Sequence, residues 1–176
     1  VMRFVEGETV PKKILSEESF ENARNNLAQQ CGEVLANIHS IPAENFDYLG
    51  KTPDSKDVLN AQIQRYDYYG GGHPALDLAI RWLQKNQPAE PYRKFVHGDF
   101  RLGNIAVKKD GLKSVLDWEC SHLGDPMEDL AWLCLRSWRF GRADKIVGGF
   151  GDRNPLYSSY LEKGGCEIIE RRIKWW

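Results

Sequence analysis

The run His97-Gly98-Asp99-Phe100-Arg101-Leu102-Gly103-Asn104, followed by Leu116-Asp117-Trp118-Glu119, carries the side chains best suited to chemistry. Asp117 stands thirteen positions after Asn104. Moving a phosphoryl group onto a hydroxyl needs a carboxylate that orients the attacking hydroxyl and takes its proton. It also needs oxygen ligands that hold Mg²⁺ on the nucleotide phosphates. The pattern His-x-Asp-x-x-x-x-Asn places a base and one metal ligand on a single loop. An Asp beyond the next hairpin then supplies the second ligand. Asp99, Asn104 and Asp117 fall in that order at that spacing.

The elements around them agree. Lys94-Phe95-Val96 is a short apolar strand running into His97. Ile105-Ala106-Val107 and Ser114-Val115-Leu116 are two more, joined around the hairpin signal Asp110-Gly111. The expected strands, over residues 105–108 and 113–116, fold the chain back so that Asp117 returns to Asn104. Those two oxygen ligands can then share one Mg²⁺, which takes few protein carboxylates and keeps its phosphates and waters. Asp99 is the better base, and His97 is a second catalytic candidate more suited to bracing the loop. Arg101 could steady an anionic group or the developing phosphoryl charge, or be a plain surface cation. In an extended chain, Glu119 would share a face with Asp117.

Other segments must position this loop. Phe20, Ala23, Leu27, Cys31, Val34, Leu35 and Ile38 recur at helical spacing, which predicts a long helix over residues 14–40 beneath it, ended by a structural His39. Residues 41–56 read as a loop, and a helix to about Tyr69 stops at Gly70-Gly71-Gly72. Pro74 opens another helix to about Asn86, with Leu76, Ile80 and Leu83 inward. Asp125 before Pro126 has the chemistry of a helix N-cap, and Asp129 follows in the first turn. Trp132, Trp138 and Phe140 among leucines are expected in the core. The interleaved Arg136, Arg139 and Arg142 could instead line an anion pocket. Gly148-Gly149-x-Gly151 is a turn between helices, because it follows no strand and lies after the metal ligands.

Composition bounds the class. At 176 residues the chain has one domain's length, and 41% apolar with 28% charged content is ordinary for a globular protein. A net charge of −1 argues against a nucleic-acid partner. No run approaches the ~18 apolar residues of a membrane span, so no membrane partner is expected. Cys31, Cys120, Cys134 and Cys166 form no Cys-x-x-Cys pair, as expected of reduced thiols in a cytoplasmic protein.

At this point the chain resembles a family. His97-Gly98-Asp99-x-x-x-x-Asn104, Leu116-Asp117-Trp118-Glu119 and Gly124-Asp125-Pro126-x-x-Asp129-Leu130-Ala131 are similar to motifs of the aminoglycoside/choline phosphotransferase superfamily. The fuller wording, with the run from Trp132 to Gly141, is similar to bacterial phosphotransferase family proteins and to the kinase-like domain of some acyl-CoA dehydrogenases. The resemblance implies an α+β, mainly helical fold: the C-terminal lobe of a protein-kinase-like fold with a short catalytic β-hairpin. It implies ATP and Mg²⁺ as cofactors, and Asp129 as a residue that helps to hold the catalytic loop. Residues 1–7 would be the interlobe linker strand, with Arg3 and Val5 at the adenine and Arg3 where relatives often carry an acid. Residues 8–176 would be the lobe, a fragment lacking its nucleotide lobe, truncated at its C-terminus and inactive alone. Basic residues after Asp129 favour a hydroxylated small molecule, acyl-CoA-like, over cationic aminoglycosides or choline. A kinase-like module kept for binding or regulation, fused to an acyl-CoA dehydrogenase, is the alternative. An unrelated metal-dependent hydrolase would need further ligands, and His73 and His122 are the spare histidines.

Overall fold

The computed structural model describes residues 4–49, 55–89 and 92–176. The helix expected over residues 14–40 forms as two pieces: α1 spans Pro11–Ser16 and α2 spans Glu21–His39. Glu17 between them is extended, at φ −76° and ψ 137°, and a 3-10 turn at Glu18–Phe20 restarts the coil. The break strands two carbonyls, and Arg24 Nη1 donates to both, to Ile14 O at 2.8 Å and Glu17 O at 2.7 Å. Apolar spacing cannot reveal such a break, because the apolar face is nearly continuous across it.

The chain then builds helices α3 (Ser55–Tyr68) and α4 (Pro74–Lys85), strand β1 (Lys94–Val96), strands β2 (Ile105–Lys108) and β3 (Gly111–Val115), and strand β4 (His122–Gly124). Helices α5 (Pro126–Cys134), α6 (Arg153–Glu162) and α7 (Glu170–Trp175) follow. Strands β2 and β3 form the expected antiparallel hairpin, slipped by a bulge after Ala106, with Lys109-Asp110 as the loop between the paired Lys108 and Gly111. Strands β1 and β4 form a second antiparallel pair, Phe95 opposite Leu123. Of the expected linker over residues 1–7, residues 1–3 lie outside the described residues and residues 4–7 form no strand; just past them Glu8 bridges Val107, at 2.8 and 2.9 Å.

Helix α2 is the hub. It buries Ala23, Leu27, Ala28, Cys31, Leu35 and Ala36, and α6 packs along it while β1, β3 and α5 also touch it. Each fully buried Leu on such a face contributes about 1.5–3 kcal/mol relative to exposure. A Cβ at Gly32 would run into Ser159 Oγ and the Leu156 carbonyl, so the two helices meet without a side chain there. Ser159 Oγ donates to Gln29 O at 2.8 Å across the same crossing. Gln30 accepts from Leu112 N–H at 2.8 Å and so pins the hairpin tip to α2.

Helix α4 differs from expectation. None of its residues is buried; Leu76, Ile80 and Leu83 line an open apolar cleft with α3, Trp175 and Trp176. Asp125 is the expected N-cap, its Oδ1 accepting from Met127 N–H at 3.0 Å. Its Oδ2 also takes Arg172 Nη2 at 2.7 Å and Trp176 Nε1 at 2.8 Å, which ties the last helix to α5. Gly148 and Gly149 form a tight turn closed by a Val147–Gly151 bridge, as expected. Cys31 and Cys134 are buried, Cys166 is half-buried, Cys120 is exposed, and all four are free thiols. Among the described residues no helix is long and apolar enough to cross a membrane.

Helix propensity alone would make Gly32→Ala stabilising by about 1 kcal/mol. The contact with α6 reverses the sign: forcing the helices apart should cost about 1–3 kcal/mol. Urea denaturation of the variant checks this, and an increase in stability would show that the crossing can open freely.

Candidate active site

The site is built from the end of β1 outward. Asp129, on α5, is fully buried and accepts three hydrogen bonds. Its Oδ2 takes His97 N–H at 2.8 Å and His39 Nε2 at 3.1 Å, and its Oδ1 takes Gly98 N–H at 2.8 Å. Burial pushes this carboxyl up, but His39 and the two peptide N–H groups outweigh it and hold the carboxyl below its usual range. His39 Nδ1 lies 2.9 Å from Tyr160 Oη, so the residue that ends α2 is a buried structural link. Gly98 sits at φ +79°, where a Cβ would also meet the Cys120 carbonyl, so only glycine allows this turn.

His97 is completely buried and both ring nitrogens are occupied. Nδ1 accepts from Asp99 N–H at 3.2 Å, which leaves Nε2 as the donor to Leu116 O at 2.8 Å. The ring therefore joins the loop to the end of the hairpin, with neither nitrogen left over for a further partner.

Asp99 is held on every side. Arg101 Nε approaches Oδ1 at 3.0 Å and Oδ2 at 3.2 Å, Asn104 Nδ2 donates to Oδ2 at 2.6 Å, and Trp132 Nε1 donates to Oδ1 at 2.6 Å. Three N–H groups thus meet the carboxylate, with the single Arg101 Nε–H forked between its two oxygens. Arg101 stacks its guanidinium 4.5 Å from the centre of the Trp138 ring, and its Nη groups take no partner among the described residues.

Asn104 is buried, and its amide nitrogen also donates to Asp99 O at 3.0 Å. Its Oδ1 is left without a donor among the described residues. Leu116 N–H donates to Asn104 O at 2.8 Å, which brings Asp117 beside it as the hairpin argument requires. Asp117 is exposed, makes no hydrogen bond or ion pair among the described residues, and sits at φ +64° and ψ +56°. A non-glycine residue in that left-handed region stores strain, of the order of 1–3 kcal/mol.

Mg²⁺ suits this donor set: one amide oxygen and one free carboxylate, with room for phosphates and waters. No group of three or more His, Cys, Asp or Glu side chains converges among the described residues, so a cage made of protein ligands alone is not what the loop offers. The Cys120 thiol is pushed up, first by partial burial and then by the charges of Asp99, Glu119 and Asp117.

Three expectations change here. Trp118–Cys120 is a 3-10 turn, so Glu119 does not follow Asp117 in extended chain and the shared-face argument fails. Trp132 and Trp138 are half-buried and Phe140 is 41% exposed, so they form a face beside Asp99 and not a core. Arg139 donates to Cys134 O at 2.9 Å and Arg142 to Leu15 O at 3.0 Å, which commits two of the three pocket arginines to backbone carbonyls. Trp132 is the residue that sequence reasoning missed. The signal was present, since it lies three positions past Asp129 and shares its helix face. Val5 is half-buried, with its peptide groups unpaired among the described residues, and Arg3 lies outside them. His122 hydrogen-bonds Cys120 O at 2.9 Å and lies 3.2 Å from Glu128, while His73 is exposed between α3 and α4.

The chain matches the model of the phosphotransferase enzyme family over residues 1–162, and it belongs to that family. It is 35% identical over 140 residues to mouse acyl-CoA dehydrogenase family member 10, covering 74% of this chain and 13% of that protein. It is also similar to two solved structures. One is a protein of Ralstonia eutropha JMP134 provisionally described as an aminoglycoside phosphotransferase, with TM-score 0.74, 22% identity, 99% of this chain and 58% of that one. The other is the AMP-bound complex of spectinomycin phosphotransferase, with TM-score 0.60, 14% identity, 98% of this chain and 56% of that one. The fold is accordingly that of the kinase-like phosphotransferases, and the chain spans little more than half the length of these structures and under a fifth of the mouse relative.

Replacing Asp129 by Ala should cost about 3–5 kcal/mol, because two peptide N–H groups and His39 lose their shared partner in the interior. The pH dependence has a definite sign. A carboxyl whose native pKa is depressed contributes stability that is fully present above its unfolded value of about 4. That contribution falls as pH drops through the native value. Denaturant titrations from pH 7 to pH 2 should therefore show an acid-induced loss in the parent that Asp129→Ala lacks.

Proposed function

We propose that this chain carries the base and metal ligands of an ATP- and Mg²⁺-dependent phosphotransferase acting on a small-molecule hydroxyl. The observation that carries the reading is the fixed order Asp99–Asn104–Asp117 folded into one corner, with Asp99 held by three N–H donors and Asp117 left strained and without a partner among the described residues. Asn104 and Asp117 would hold Mg²⁺, which would neutralise charge on the β- and γ-phosphates and align them. Asp99 would orient the substrate hydroxyl and take its proton as the oxygen bonds to the γ-phosphorus and the bond to ADP breaks. An incoming hydroxyl needs an acceptor position on Asp99, and a donor forked across both oxygens obstructs it. Arg101 is that donor and can give way, being more exposed than Asn104 and carried on a flexible side chain, with Trp138 as a ledge to rest on. Once displaced, its guanidinium would face the transferring phosphoryl group or an anion on the substrate.

We further propose that the chain works joined to a nucleotide-covering lobe with a phosphate-pairing Lys, with backbone near Val5 meeting the adenine; the fraction of its relatives' length that it spans supports this. The free arginine donors beside Asp99 favour a hydroxylated, anion-bearing substrate of the acyl-CoA kind over a polycationic aminoglycoside. A non-catalytic module would have no use for a strained, unpaired Asp117.

The test compares the chain alone with the chain joined to an upstream lobe, using a coupled ADP assay on hydroxylated acyl-CoA, choline and aminoglycoside panels. The chain alone should bind ATP weakly and turn over nothing. In the joined protein Asp99→Asn should lower kcat by about 10²–10⁴ with little change in KM. Asp117→Gly should abolish turnover while leaving the fold as stable or more so, because the left-handed strain is relieved. Full activity of the Asp117 variant would sink the assignment.

A further inference from the structure

Helix α5 reaches the catalytic loop twice. Asp129 takes the peptide N–H groups at the loop's start, and one turn later Trp132 donates its indole N–H to Asp99 Oδ1 at 2.6 Å. The two side chains stand at i and i+3, so one rigid helix face sets both the loop backbone and the carboxylate it carries. Neither of the other donors to Asp99 has this independence. Asn104 is on the same loop and is itself a proposed metal ligand, and Arg101 is two residues away and partly exposed. Only Trp132 holds Asp99 from a separate element.

The indole is also held in place. It packs against Trp138 with ring centroids 5.6 Å apart, and Trp138 in turn carries the Arg101 guanidinium. An indole has a single N–H and no acceptor. It can stabilise the ionised carboxylate without competing for the substrate proton and without bringing a charge that would neutralise the base. An Arg in the same place would bring that charge.

We propose that Trp132 is a positioning residue for Asp99, which fixes the rotamer of the base when Arg101 leaves to admit the substrate. This rests on Asp99 being the base, as proposed above. When the hydroxyl arrives, Asn104 and Trp132 retain one position on each oxygen, and the position vacated by Arg101 points to the attacking group.

Two measurements test it. In the first, 15N-labelled protein is examined by NMR for the Trp132 indole N–H, which a short bond to a carboxylate moves downfield. Asp99→Asn should move that resonance upfield while the other indole signals stay in place. An unmoved Trp132 signal would overturn the proposal, whether or not any substrate is known. In the second, Trp132 of the lobe-joined protein is replaced by benzothienylalanine, which keeps the ring's shape and puts sulfur where the N–H was. Loss of the donor alone should lower kcat about tenfold to a hundredfold with the KM for ATP unchanged. In an Asp99→Asn background the same replacement should change the residual rate less than about twofold, since the two residues act as a unit. Full kcat for the benzothienyl protein would show that Trp132 only packs. If Asp99→Asn itself proves harmless, the base assignment fails instead, and the NMR result still decides whether the indole holds the side chain.

Discussion

A single buried carboxylate underlies the geometry of this molecule. Placing a charge in a protein interior costs several kcal/mol unless it is fully bonded, and Asp129 meets that cost with three donors from two separate segments. Its bonds tie the end of α2 through His39, the end of β1 through His97 and Gly98, and α5, from which it projects. The loop after β1 cannot drift without leaving buried peptide N–H groups unpaired. Gly98 is forced into its left-handed turn at the same point, and Asp99 is aimed from there. The His97 ring, fixed by Asp99 N–H and Leu116 O, passes the constraint on to the end of the hairpin. Asp117 inherits its place from that contact.

Helix α5 is short, yet three of its polar residues or their neighbours make long-range attachments. Asp125 caps it and binds Arg172 and Trp176, Asp129 holds the loop, and Trp132 touches the base. Its apolar residues, Met127, Leu130 and Leu133, are wholly buried against the core around α2. Core packing thus fixes the helix, and the helix fixes the polar contacts. Damage to the packing and damage to the chemistry should be hard to separate here by truncation. Changes that keep ring or carboxyl shape are needed for that.

How much of this was legible in the sequence follows from the range of each interaction. The loop motif, the hairpin and the N-cap at Asp125 depend on residues a few positions apart, and spacing carries them. The break at Glu17 depends on Arg24 reaching back from the next helix, and hydrophobic periodicity is blind to it. Strand β4 has only three residues, too few for an alternating pattern, and exists because Leu123 can pair opposite Phe95. The aromatic residues after Asp129 looked like core because apolar type alone suggests burial. Trp132 instead donates to Asp99 and Trp138 carries Arg101, and only the i, i+3 relation of Trp132 to Asp129 pointed that way. The pocket arginines went astray for a related reason: a guanidinium in sequence does not show whether backbone carbonyls will claim it.

The two aspartates of the site carry the same functional group and are treated in opposite ways. Asp99 is ringed by nitrogens, so its position is defined and its charge is stabilised before any ligand arrives. Asp117 has no partner among the described residues and occupies a backbone conformation that costs energy to hold. Folding gains nothing locally from that arrangement, since a glycine would sit there with less strain. A carboxylate kept strained and unpaired beside an amide oxygen is suited to one kind of partner, a small hard cation that arrives with its own phosphates. A carboxylate kept fully bonded, with one displaceable cation among its donors, is suited to accepting a proton at a defined point. The proposed division of labour between base and metal ligand accordingly follows which of the two carboxylates the fold satisfies and which it leaves open.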